Sequence, residues 1–234
     1  MLNIISRQAT LISGMLQLSF LKSEIDRLLT WSAIFSVSMV VVRIWYTNEY
    51  TFVFMPWNLF LAVVPYCLLQ LFGHRVLSRS KTGAFALVFI TWLLFVPNTF
   101  YMITDLFHLY QRDTVPKWFD LVLLMSFAWN GLILGTLSIR KMEKLLAIRF
   151  PGLPGNLFVA SMMLLNAFGV YLGRYLRFNS WDVVANPFDL FLQILDLVFQ
   201  PTDYKGAWAM ILSFAVMMTI MYQMLKKLSR RLGG

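Results

Sequence analysis

Six apolar runs, each about as long as a lipid bilayer is thick, decide what this chain can fold into. They lie at about 28–46, 56–72, 83 into the stretch beginning at Val96, 118–138, 156–176 and 206–225. A helix needs about 20 mostly apolar residues to cross a hydrocarbon core. No water is present there to satisfy a peptide group, so each run must close its own hydrogen bonds as a helix. Only 13% of the 234 residues are charged and 59% are hydrophobic. A soluble domain carries roughly twice that share of charge, so the apolar excess has to face lipid. The reading is an all-α integral membrane protein. It has an amphipathic N-terminal segment over 1–27, one transmembrane domain over 28–226 and a basic tail over 227–234.

The net charge of +9 raises nucleic acid as a partner. The basic residues, however, sit in short loops between apolar runs, which is a topology signal and not a nucleic-acid stripe. With the N-terminus in the cytoplasm, the inner segments collect 14 Lys and Arg, and the outer segments collect five: Arg112, Lys117, Arg174, Arg177 and Lys205. Arg43 lies within the first run. That bias predicts that both termini are cytoplasmic. Eight of the 11 acidic residues fall on the outer side. Cys67 is the single cysteine, so no internal disulfide forms. Gln8, Thr10, Ser13, Gln17 and Ser19 interrupt the N-terminal apolar residues. That segment therefore reads as an in-plane helix on the inner surface and not as a signal peptide.

One stretch departs from the apolar pattern. Between Val96 and Leu109 the third run acquires Pro97, Asn98, Asp105 and His108, one of two histidines. Pro97 removes a backbone hydrogen bond and clashes with the carbonyl of Leu93, which predicts a kink or break. Asn98 is then placed to cap a new outer half-helix. Asp105 and His108 share a helical face. Joined by Asp120 or Asp182 they would suit a metal or an acid and base, but one His with scattered Asp is a weak metal signal and a hydrogen-bonded pair at a helix end is the plainer reading. Arg43 and Arg174 each lie about one turn from the outer end of a span. They either snorkel or turn inward to pair with Asp105, Asp182 or an anionic ligand.

Asn130 and Asn166, with Gly131, Gly135, Gly169 and Gly173, read as packing contacts between the adjacent fourth and fifth spans. Trp57, Trp118, Trp181 and Trp208 fall at predicted outer ends, as an interface belt does. Asn186-Pro187-Phe188-Asp189 is a helix start, with Asn as the cap and Pro at the first position. A helix over 188–199 is only about 18 Å long and cannot cross. Asp189, Gln193 and Asp196 share one of its faces, so it reads as an outer interfacial or re-entrant helix, its polar face toward water or the bundle. An offset of 131 aligns Arg43 with Arg174, Asn48 with Asn179 and Pro56 with Pro187, which is either a faint internal repeat or coincidence.

No phosphate-binding glycine loop, dinucleotide fingerprint, zinc-protease motif or nucleophile elbow is present. The block from Pro97-Asn98-Thr99 to Thr104-Asp105-Leu106-Phe107-His108-Leu109 resembles the signature of an uncharacterised bacterial membrane family, domain of unknown function 1361. So do Pro56 to Phe60, Gly173 to Arg177, Asn179 to Asp182 and Asn186-Pro187. This chain differs in having Thr99 where members commonly carry Ala and Phe100 where they often carry Pro. The resemblance implies a multi-pass protein of the bacterial cytoplasmic membrane and implies no activity.

The functional expectation is an outward-facing polar pocket built from Asn58, Asn98, Asp105, His108, Arg174, Arg177, Asn179 and Asp182. Its mixture of Arg and Asp suits a small anionic or zwitterionic molecule or a lipid headgroup, bound or transported. The rivals are a membrane-embedded enzyme using Asp105 and His108 on a lipid-linked substrate, and a non-catalytic partner subunit. The partners expected are the bilayer and such a ligand, with no nucleic acid, metal or cofactor.

Overall fold

The computed structural model describes residues 24–73, 82–110, 114–150 and 152–232. The N-terminal segment before Glu24 and the basic loop at 74–81 lie outside the described residues. The described chain is helical and, among these residues, contains no strand. In order it forms α1 (Glu24–Thr47), α2 (Phe54–Phe72), α3 (Thr82–Phe95), α4 (Pro97–Thr104), a 3-10 turn (Asp105–Tyr110), α5 (Lys117–Arg149), α6 (Gly155–Arg174), α7 (Asp182–Ala185), α8 (Pro187–Phe199) and α9 (Lys205–Leu232). Six stretches are long and apolar enough to cross a membrane: α1, α2, Thr82–Leu109, α5, α6 and most of α9. The protein is thus a multi-pass helical membrane protein. The spans alternate in direction. The start of α1, the end of α9 and the α5–α6 connection share one end of the bundle, here the basic end. Asp105, Asp120 and Asp182 mark the other, acidic end.

The longest helix, α5, is the axis. Its 33 residues run to Arg149, well past the end expected near Ser138, and at 1.5 Å per residue reach about 50 Å. The extra turns are held at the basic end by Glu143, which accepts hydrogen bonds from Tyr222 (2.6 Å) and Lys226 (2.5 Å) of α9. Helices α1, α2, α4 and α6 all pack on α5. On one side Val40, Met55, Leu59, Leu123 and Phe127 form an apolar cluster shared by α1, α2 and α5. On the other, Trp92, Ile139, Met163, Ile211 and Met218 join α3, α5, α6 and α9. The indole of Trp92 also donates to Ser138 Oγ at 2.8 Å, so its buried N–H is satisfied.

The glycine pairs do not bring α5 and α6 against each other, as the sequence suggests. Both pairs grip α4. A Cβ at Gly131 would strike the Thr99 carbonyl and the Met102 side chain, and one at Gly135 would lie 2.8 Å from the Phe100 ring. On the opposite side a Cβ at Gly169 would lie 2.8 Å from Pro97, and one at Gly173 would touch Tyr101 at 3.3 Å. Small residues let backbones approach without a hydrophobic driving force. Here they seat an eight-residue helix between two long ones. Asn130 likewise turns from α6 to α1, donating to Ser36 Oγ at 3.0 Å. Asn166 lies on the face of α6 that carries Gly169 and donates only to its own Met162 carbonyl.

Pro97 breaks the third span as its ring chemistry requires. It occupies the first turn of α4, which puts Asn98 inside the helix and not at its cap. Asn98 turns back instead and donates to the Phe95 carbonyl at 3.0 Å and to Ser180 Oγ at 2.9 Å. Ser180 in turn donates to the Leu94 carbonyl at 2.8 Å. Two carbonyls at the break, which in lipid would cost several kcal/mol unpaired, are thereby satisfied.

The short helix α8 starts at Pro187 with Asn186 before it, as read from sequence, although the Asn186 side chain donates to Asp189 at 2.9 Å and caps no N–H. Of its side chains only Leu197 is buried. Asp189, Gln193 and Asp196 are exposed, so the polar face turns away from the bundle. Trp57, Trp118 and Trp181 are exposed as an interface belt would be, whereas Trp208 donates to the Leu197 carbonyl at 2.9 Å and ties α9 to α8.

Candidate functional site

Asp105 is where α4 tightens into the 3-10 turn. In a 3-10 turn residues three apart eclipse, so Asp105 and His108 stand one directly above the other, closer in direction than an α-helix would set them. The Asp105 side chain is fully buried. Its two oxygens are held from different helices. Asn58 of α2 donates to Oδ2 at 3.2 Å, and Arg174, the last residue of α6, reaches Oδ1 at 3.4 Å.

Arg174 also meets His108. Its Nη1 lies 2.9 Å from His108 Nε2. A guanidinium can only donate, so Nε2 is the acceptor and the ring proton sits on Nδ1. The Phe107 and Tyr101 rings lie 5.5 and 5.9 Å from the guanidinium carbon, and Phe54 lies 5.3 Å from the imidazole. The four polar groups therefore sit in an aromatic surround at the acidic end of the bundle. Arg174 keeps 14% of its side chain exposed, whereas Asp105 keeps none. The guanidinium is the lid of the cluster and the carboxylate its floor.

The eight residues proposed from sequence separate into three groups. Asn58, Asp105, His108 and Arg174 meet. Asn98 belongs to the helix break and faces Ser180. Arg177, Asn179 and Asp182 lie in the connection after α6. Arg177 is exposed and adopts a left-handed backbone, φ 60°, a conformation costing a non-glycine residue roughly 1–2 kcal/mol. It turns the chain so that the Phe178 N–H reaches the Leu172 carbonyl. Asp182 accepts from the Asn179 backbone N–H at 2.5 Å and donates its own N–H to the Asn179 carbonyl at 3.0 Å. Its carboxylate thus closes a local turn and is not the partner of an arginine.

Arg43 also differs from expectation. Its partner is neither Asp105 nor Asp182 but Asp120, in the first turn of α5. Nε meets Oδ1 at 2.8 Å and Nη2 meets Oδ2 at 3.3 Å, a two-pronged contact with both side chains 1% exposed. Thr114 accepts from Nη2 at 3.3 Å, Glu49 stands 3.8 Å from Nη1, and Phe52 stacks 4.6 Å from the guanidinium. Asp120 is thus committed elsewhere, and among the described residues no three His, Cys, Asp or Glu side chains converge as a metal site would need. Sequence reasoning missed Ser180, the residue that ties the connection after α6 to the break. A hydroxyl flanked by Asn179 and Asp182 reads as ordinary loop.

Comparison with known proteins gives one match. The model of the family described as a protein of unknown function (DUF1361) matches residues 57–221, which include all eight candidate residues and leave out Arg43. No curated protein matches the chain, and no solved structure does. The match spans more than half of the sequence, and the chain belongs to this family.

Proposed function

We propose that the protein binds a small anionic or zwitterionic molecule, or a lipid headgroup carrying the same groups, at its acidic end, with Arg174 as the recognising residue. One observation carries this reading. Arg174 closes a buried carboxylate by a single contact of 3.4 Å and remains partly open to the outside. An arginine with donors to spare at the mouth of a polar cluster is the residue that takes carboxylate or phosphate oxygens in a fork. An incoming anion displaces the Arg174–Asp105 contact, and Asp105 with Asn58 is then left to face the cationic part of a zwitterion. The Lys and Arg asymmetry supports both termini cytoplasmic and this end outward, and the bacterial plasma membrane follows from the family resemblance.

The enzyme reading needs Asp105 and His108 as a working acid and base. It has less support, because Arg174 occupies both side chains at once. The test is equilibrium binding of inorganic phosphate, glycerol phosphate and glycine to purified protein in nanodiscs, with Arg174→Gln beside the wild type. Saturable binding of one of them that disappears in a folded Arg174→Gln protein supports the proposal. Absence of binding by all three, or binding that survives the substitution, overturns it. Orientation is tested with Cys67→Ala carrying a cysteine at Lys144, and labelling of intact cells by a membrane-impermeant maleimide would reverse the assignment.

A further inference from the structure

The lipid-facing side of α9 changes character at the basic end. The buried residues of this helix, Ala207, Ile211, Ala215, Met218 and Tyr222, recur every three or four positions and form one stripe. Leu212, Val216, Ile220, Met224 and Leu228 form a second stripe, and all five are exposed. Each residue turns about 100° round a helix, so Met224 lies nearly opposite the buried Tyr222. The second stripe therefore faces the hydrocarbon. It ends in two exposed cations, Lys227 beside Leu228 and Arg231 one turn further on. Met224, Leu225, Lys227, Leu228 and Arg231 border one open hollow on this surface.

The basic residues at this end are not equivalent. Lys226 is committed: its Nζ donates to Glu143 Oε1 at 2.5 Å and lies 5.7 Å from the Tyr222 ring centre. Lys227 and Arg231 make no hydrogen bond or ion pair among the described residues. Helix α9 contains no acidic residue that could serve them. They are four positions apart, the spacing at which side chains on a helix meet and like charges repel. The helix dipole favours cations near a C-terminus whichever face they occupy. That accounts for a basic end, but not for two unpaired cations at the foot of an apolar, lipid-facing stripe. An anion between them relieves the repulsion, and the stripe requires that the anion carry a hydrocarbon chain.

We propose that this end of α9 holds one anionic phospholipid, drawn from the leaflet at the basic end. Its phosphate sits between Lys227 and Arg231, the guanidinium taking two oxygens in a fork and the ammonium acting as a point charge. One acyl chain lies along Leu228, Met224, Ile220 and Val216. Val216 to Leu228 covers about 18 Å of helix, a little more than half of a hydrocarbon core about 30 Å thick, which suits a chain confined to one leaflet. This site lies at the opposite end of the bundle from Arg174 and does not depend on what binds there.

The test is native mass spectrometry of the full chain in detergent, titrated with phosphatidylglycerol and with phosphatidylcholine. Phosphatidylglycerol is expected to bind saturably and the tighter of the two. Lys227→Gln combined with Arg231→Gln should weaken it about tenfold, the increment of one charge-assisted hydrogen bond. Arg140→Gln combined with Lys144→Gln removes the same charge from α5 at the same end and should leave binding unchanged. A phosphatidylglycerol with a diazirine on its acyl chain should label the α9 peptide that carries Val216 to Leu228. Equal losses in the two double variants would make the effect one of overall charge and overturn the proposal. So would phosphatidylcholine binding as tightly, displacement of the lipid by free glycerol phosphate, or label spread evenly over the other spans.

Discussion

Two arginine–aspartate pairs stand at the acidic end, and they are built differently. Arg43 and Asp120 meet through two contacts, the closer 2.8 Å, with both side chains almost completely shielded. Arg174 and Asp105 meet through one contact of 3.4 Å, and the arginine is partly exposed. The first pair is flanked by Thr114, which accepts a further hydrogen bond, by Glu49 at 3.8 Å and by the Phe52 ring. The second is flanked by Asn58 and His108, polar side chains that can change partners. A closed bidentate pair fixes helices. A single long contact under a partly exposed guanidinium can open. The same two residue types thus serve as a clamp in one place and as a candidate recognition site in the other, and shielding with contact geometry separates them.

The largest expected effect tests the clamp. Asp120→Ala strands a buried guanidinium and should cost about 3–5 kcal/mol, seen as a collapse of the detergent melting temperature or of folded yield. Unchanged melting would remove the distinction between the pairs. Next comes the seat of α4. Gly169→Val forces atoms into Pro97 and should cost roughly 1–3 kcal/mol by overpacking, loosening the Arg174 site with it. Normal melting together with normal ligand binding would show that the site does not depend on that seat.

Arg174→Gln should destabilise less than Asp120→Ala and abolish anion binding, and a comparable loss of folded protein would make the second pair a clamp as well. The like-for-like change is Asp→Asn at each site. Asp120→Asn should lower stability, because Arg43 loses its two-pronged carboxylate and keeps Glu49 at 3.8 Å. Asp105→Asn should leave melting nearly unchanged and tighten phosphate binding, because the anion no longer competes with a carboxylate for Arg174. A loss of melting temperature at Asp120 with none at Asp105 sharpens the comparison, and an equal loss at both breaks it. A small loss is expected for Asn58→Ala, about 0.5–1.5 kcal/mol for one hydrogen bond to Asp105, read by thermal melting.

The spans were legible because hydropathy is local and the bilayer sets their length. The break at Pro97 was legible for the same reason, since the ring acts on its own helix. What stayed hidden was long-range choice. Arg43 and Asp120 are 77 residues apart, and nothing near either residue distinguishes that pairing from Asp105 or Asp182. The glycine pairs on α5 and α6 mark close contacts in the sequence but not their partner α4, because a small-residue face does not name the helix it receives. The turn closed by Asp182 is not legible either, because a turn-closing carboxylate and a ligand-facing one look alike in sequence. The convergence of Asn58, Asp105, His108 and Arg174 combines both kinds of information: local spacing set Asp105 with His108, and packing brought α2 and α6 to them.

The position of α5 has a consequence for how the protein is made. A chain enters the membrane from its N-terminus, so α1 and α2 arrive well before the helix on which both pack. Until Lys117–Arg149 has been synthesised, Arg43 has no Asp120 to meet and the serine on α1 that bonds Asn130 has no amide. Before then the first two spans have only the Tyr66–Asp26 bond and the packing of α2 on α3 and α4, and their common core on α5 closes only when the fourth span arrives.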